Sequence, residues 1–194
     1  MFSRYSTKCT NQQGFSLLEV LITAAIIGIV TALVVVRYGA FNNSVLLKSQ
    51  AFEMALDLRE AQVFAVSVRG SGLQFREEYG LHFDMTTPNQ YLLFQDSGDT
   101  KPALYDSGEE IGNPYLIDSR FEITSICVNA CNTGAETIDD LSISFARPDF
   151  DALFESVDYT PATPITRAEI TLSPLSSSEE RKIVITSTGQ ITVE

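Results

Sequence analysis

Residues 13–36 read QGFSLLEVLITAAIIGIVTALVVV, an apolar run entered through Gly14-Phe15 and interrupted by one acid, Glu19. From Phe15 to Val36 the run would extend about 33 Å as an α-helix at 1.5 Å per residue, which matches a bilayer hydrocarbon core of roughly 30 Å. A carboxylate at that depth costs roughly 2.5–3.5 kcal/mol on insertion scales, so Glu19 demands a reason. Arg4 and Lys8 precede the run and no acid does, an asymmetry that keeps the N-terminus cytoplasmic. Arg37 and Lys48 lie beyond the run and weaken that bias without reversing it.

The helix is expected to continue past the membrane. No proline occurs between Phe15 and Arg69, and Phe41, Val45, Phe52, Leu56 and Val63 repeat at steps of four and seven. Such spacing is one apolar stripe at helical period, and Gly70-Ser71-Gly72 offers a stop. The sequence therefore predicts one helix from about Phe15 to Val68, roughly 80 Å long, with an apolar first half and an amphipathic second half. On this reading the stripe faces inward, and something downstream must cover it.

Downstream the pattern changes to strands. Tyr79–Met85, Gln90–Gln95, Arg120–Ile126, Leu141–Ala146, Arg167–Ser173, Arg181–Thr186 and Gln190–Val193 are short and rich in β-branched or aromatic residues. Ser187-Thr188-Gly189 reads as a hairpin turn. Residues 84–89 and 95–102 read as loops, and prolines bound an excursion at 148–165 to which no element is assigned. The expected fold class is α+β, a long N-terminal helix packed on antiparallel sheet.

Gly14, Phe15 and Glu19, behind a short basic leader, resemble the N-terminus of type IV prepilins and type II secretion pseudopilins. The resemblance implies a pilin-like fold, cleavage after Gly14 by a prepilin peptidase, and N-methylation of Phe15. It also implies that Glu19 serves assembly, its carboxylate pairing with the methylated amine of a neighbouring subunit's Phe15. The implied divisions are a leader at 1–14, a membrane-spanning half-helix at 15–36, an amphipathic half-helix at 37–69 and a β-rich extracytoplasmic domain at 70–194. The implied partners are other pilin subunits, the peptidase and methyltransferase, the inner membrane and an assembly platform. Ala55-Leu-Asp-Leu-Arg-Glu-Ala-Gln62 is similar to a stretch of GspH/FimT-type minor pseudopilins. A proline common in the membrane half of the family's helix is absent here.

Competing readings address the same residues. A secretory signal peptide would be cut after the apolar run, but Thr31-Ala32-Leu33 and Tyr38-Gly39-Ala40 fit an A-x-A site poorly. An uncleaved signal anchor holding an adhesin or binding domain is the alternative function. Glu19 could also sit near the interface and snorkel to water.

The remaining composition narrows the chemistry. The formal net charge is −12 over 194 residues, and cleavage after Gly14 would remove two cations, so binding to nucleic acid phosphates is not expected. Cys9 falls in the leader, while Cys127 and Cys131 suggest a disulfide closing a small loop in an oxidising compartment; two free thiols are the other reading. His82 is the sole histidine, inside Leu81-His-Phe83, and should point away from its apolar neighbours toward solvent or a polar group. Zinc lacks ligands, and nothing orients a nucleophile for hydrolysis, so no enzyme and no cofactor are expected. Asp149 and Asp151, with Glu155 and Asp158, are weak calcium candidates without EF-hand spacing.

Overall fold

The uninterrupted helical pattern after Gly14 produces one helix, α1, over Leu17–Val66. The computed structural model describes residues 14–67, 78–96, 103–129, 131, 137–146, 148–157, 159, 164–175 and 178–194. The chain divides into two compact units, Met1–Asn42 and Asn43–Glu194. The second holds the C-terminal part of α1 and all the strands: β1 Glu78–Asp84, β2 Gln90–Asp96, β3 Tyr115–Leu116, β4 Phe121–Val128, β5 Thr137–Ile138, β6 Asp140–Phe145, β7 Ala152–Glu155, β8 Arg167–Pro174, β9 Arg181–Thr186 and β10 Ile191–Val193.

Among the described residues these strands form two five-stranded sheets, β3-β2-β1-β6-β7 and β10-β9-β8-β4-β5, with antiparallel pairing throughout. The architecture is α+β and pilin-like. All seven expected strands are present to within a residue or two. The expected helix end at Gly70-Ser71-Gly72 lies outside the described residues.

Alternation along the strands builds the core. Tyr79, Leu81 and Phe83 of β1 and Leu141, Ile143 and Phe145 of β6 come from one sheet. Ile170 and Leu172 of β8 and Ile183 and Ile185 of β9 come from the other, and all join one buried cluster with α1. The helix contributes Leu47, Ala51, Met54, Ala55, Leu58, Ala61 and Ala65 to it. This overturns the expected inward stripe: Val45, Phe52, Leu56 and Val63 are 51, 48, 60 and 58% exposed. The side chain of Phe41 lies outside the described residues. The reason is size. The buried side of α1 carries four alanines alongside Leu47, Met54 and Leu58, so a search for large apolar residues selects the opposite face.

Polar contacts fix the helix on the sheets. The Tyr91 hydroxyl, its ring stacked between Phe83 and Tyr115, donates to Asp57 Oδ2 at 2.5 Å. Gln62 Nε2 donates to the carbonyls of Phe150 and Gly189 at 3.0 and 3.2 Å. Gln50 Oε1 accepts the Asp118 N–H at 3.2 Å. The expected turn joins β9 and β10: Gly189 takes φ +75°, and its N–H donates to the Thr186 carbonyl at 2.9 Å. A Cβ on Gly189 would strike the Phe150 carbonyl, so glycine serves both the turn and the close approach.

Two stability outcomes follow for the detergent-solubilised chain under denaturant. Leu58→Ala, emptying a fully buried site, should cost about 2–5 kcal/mol, whereas Leu56→Ala on the exposed face should cost under about 1 kcal/mol. Equal costs would restore the inward stripe. Gly189→Ala should cost roughly 2–4 kcal/mol from strain and overlap together.

Candidate processing and anchoring site

Gly14, Phe15 and Ser16 precede the helix without regular secondary structure. A side chain on Gly14 would meet nothing within 4 Å, so the Gly14–Phe15 peptide is unobstructed on that side. Phe15 is 83% exposed. The first turn closes through the Val20 N–H and the Ser16 carbonyl at 3.2 Å, with Glu19 as its acid. That is where a carboxylate is favoured electrostatically, close to the free N–H groups of the helix start.

Beyond Glu19 the helix presents apolar side chains in every direction. The span Leu17–Val35 has a mean hydropathy of 2.6, and none of it is buried within the chain. Thr23 Oγ1 donates to the Val20 carbonyl at 3.0 Å, a bond within the helix itself. A helix that satisfies its own backbone and leaves a full apolar surface uncovered fits a single-pass membrane anchor.

The other candidate residues lie in the sheet unit. Cys127 and Cys131 form a disulfide, with Cα atoms 5.5 Å apart. Within the loop, Asn129 takes φ +55°, a conformation asparagine tolerates. Its N–H donates to the Arg167 carbonyl at 2.8 Å, and its Oδ1 accepts from the Thr166 N–H and hydroxyl at 2.8 and 3.2 Å. The loop thereby fixes the start of β8. Asp149 and Asp151 are exposed. Among the described residues no three His, Cys, Asp or Glu side chains are placed to hold a metal ion, and Asp158 lies outside them.

His82 turns away from the core, as its alternation with Leu81 and Phe83 requires, and meets polar groups. Its Nδ1 lies 3.0 Å from Ser142 Oγ, which also accepts the Tyr105 N–H at 3.1 Å. The Tyr105 ring stands 4.6 Å away, centroid to centroid. Ser142 is fully buried, so this Ser–His pair presents no nucleophile to a substrate. The pairing was not legible in sequence, because residues 82 and 142 meet only through the β1–β6 register.

Burial lowers the His82 pKa below its ordinary 6.5, while the Asp140 and Asp84 carboxylates pull it back up. The unfolded chain therefore takes up this proton first as pH falls, and stability should decline from about pH 6.5 downward. Burial raises the pKa of Asp57 and of Glu78 from its ordinary value. Those groups protonate first in the folded chain, and so favour folding as pH falls. Subtracting the stability curve of His82→Gln from that of the parent should isolate the histidine. The difference should be flat above pH 7 and turn against the parent below about 6.5, and a difference of opposite sign would contradict the burial assignment.

Residues 9–35 match the family described as Prokaryotic N-terminal methylation motif. No curated protein and no solved structure matches the chain. The match spans Gly14, Phe15, Glu19 and the uncovered apolar helix together: the chain carries a type IV prepilin-like N-terminal signal.

Proposed function

We propose that this chain is a structural pilin or pseudopilin subunit, cleaved after Gly14, N-methylated at Phe15, and assembled through its N-terminal helix into a type IV pilus or type II secretion pseudopilus. The observation that carries this reading is one acid, Glu19, on the first turn of a helix whose apolar surface the chain leaves bare, directly after an open Gly14–Phe15 peptide. Residues 1–14 are the leader, 15–36 cross the inner membrane, and the rest is extracytoplasmic, the basic leader holding the N-terminus in the cytoplasm.

Cleavage creates a new amine at Phe15, and methylation keeps it basic. In hydrocarbon that cation and the Glu19 carboxylate of an adjacent subunit reduce one another's desolvation cost. An ion pair of this kind forms well at one stagger only, so it sets axial register between helices. The peptidase and methyltransferase act on the chain, while the chain itself works by assembly.

The N-terminus and intact mass of membrane-extracted protein, with and without a prepilin peptidase, test the reading. The expected product begins at methylated Phe15 only when the peptidase is present. Gly14→Val should block cleavage, while Glu19→Ala should leave cleavage intact and abolish filaments. A chain retaining Met1 in the presence of the peptidase, or cut beyond Val36, would replace the pilin reading with an anchored binding domain.

A further inference from the structure

We propose that the free edge of β7 is a strand-addition site, which takes up an extended segment of another protein whose outward side chains alternate between cationic and apolar. The site lies wholly in the sheet unit and does not depend on how the N-terminus is processed. β7 ends the sheet β3-β2-β1-β6-β7 and pairs with β6 on one side. On the other side the Ala152 N–H donates to the Ser187 carbonyl at 2.9 Å. The Ala152 backbone therefore points away from β6, and alternation along an antiparallel strand turns the N–H and carbonyl of Phe154 the same way. Among the described residues neither group meets a hydrogen-bond partner on that side. An open donor and acceptor on a sheet edge form a template for one more strand.

The side chains along the edge specify that strand. Exposure alternates over residues 151–157 and turns Asp151, Leu153, Glu155 and Val157 outward, an acid–apolar–acid–apolar row. Leu153 and Val157 are 41 and 63% exposed. Beside the edge a cavity of about 470 Å³ opens toward the ends of β8 and β9, bordered by Ala152, Phe154, Tyr159, Pro164, Ile165 and Ser187. An added strand would lay its inward side chains into this cavity and set its outward ones beside the row.

Charge selects the occupant. Exposed edges are commonly guarded by lysine, yet no Lys or Arg occurs in residues 148–166, where Asp149, Asp151, Glu155 and Asp158 lie. Cations opposite Asp151 and Glu155 would form cross-strand pairs, and apolar side chains opposite Leu153 and Val157 would cover them. A second copy would instead add its own Asp151 and Glu155 to the same face, acids among acids with no cation between them. The formal net charge of −12 opposes that approach as well.

The test is binding of a capped heptapeptide, Lys-Ala-Val-Val-Lys-Ala-Val, to the detergent-solubilised full-length chain. Its outward positions read cation, apolar, cation, apolar. Binding should saturate, and hydrogen exchange read at single residues should slow at the Phe154 amide. The same peptide N-methylated at its second, fourth and sixth residues keeps its charge but loses the amides that face β7, and should bind several-fold more weakly. Asp151→Lys with Glu155→Lys should weaken the cationic peptide about tenfold and favour its glutamate counterpart. Glu179→Lys with Glu180→Lys, an equal change of charge at exposed positions before β9, should alter binding little. Absence of saturable binding, no protection at Phe154, equal binding of the N-methylated peptide, or equal effects of the two charge reversals would each overturn the site. Protection of Phe154 that rises with protein concentration and without peptide would assign the edge to a second copy, and would also overturn it.

Discussion

An apolar helical surface that the chain does not cover is the constraint on which the rest depends. Along Leu17–Val35 no side chain finds a buried place within the protein, so the segment must be solvated by something other than water. A bilayer can do this, and so can a bundle of like helices. Both are compatible with a backbone that bonds only to itself. Glu19 separates the two situations, since its carboxylate is a burden in lipid and becomes useful only when a cation arrives beside it. The composition of these few turns thus suits an apolar surrounding with a cation near the start of the helix.

The sheet unit depends on a different balance. Its part of α1 is buried on one side through Leu47, Met54, Leu58 and four alanines. The Tyr91–Asp57 hydrogen bond and the reach of Gln62 to Phe150 and Gly189 then tie that side to β2 and to the β9–β10 turn. Asp57 carries a raised pKa because it is half-buried beside Glu53 and Glu60, with the tyrosine hydroxyl offsetting part of that cost. Within the first sheet the packing is close at Gly80, where an added side chain would meet the Ile143 carbonyl and the Phe94 ring.

Much of this was legible from residue patterns, and the exceptions have physical causes. The strands of six residues or more, β1, β2, β4, β6, β8 and β9, alternate long enough to be read, and β10 is marked by the glycine turn before it. β3 and β5, two residues each, and β7, four residues inside the proline-bounded excursion, are too short to show a period; long-range pairing defines them. The N-terminal motif was legible because it is contiguous: Gly14, Phe15 and Glu19 lie within six residues. The His82–Ser142 contact was hidden, because 60 residues separate its halves. The face of α1 was misread because periodicity gives the existence of a stripe and not its direction.

That misreading is informative in itself. For a helix that packs once on its own sheets, burying the largest apolar side chains would extract the most stability, since each buried leucine or phenylalanine contributes roughly 1.5–3 kcal/mol. Here Phe52, Leu56 and two valines remain outside while alanines occupy much of the inside. The chain gives up burial that its own sequence could supply. Such an arrangement is costly for a protein whose finished form is a monomer. For a protein that meets other helices it leaves two usable faces, one spent on folding the subunit and one available to an incoming helix. The bare apolar half of α1 and the large-residue row beyond it therefore follow one rule: α1 carries more apolar surface than the described residues cover.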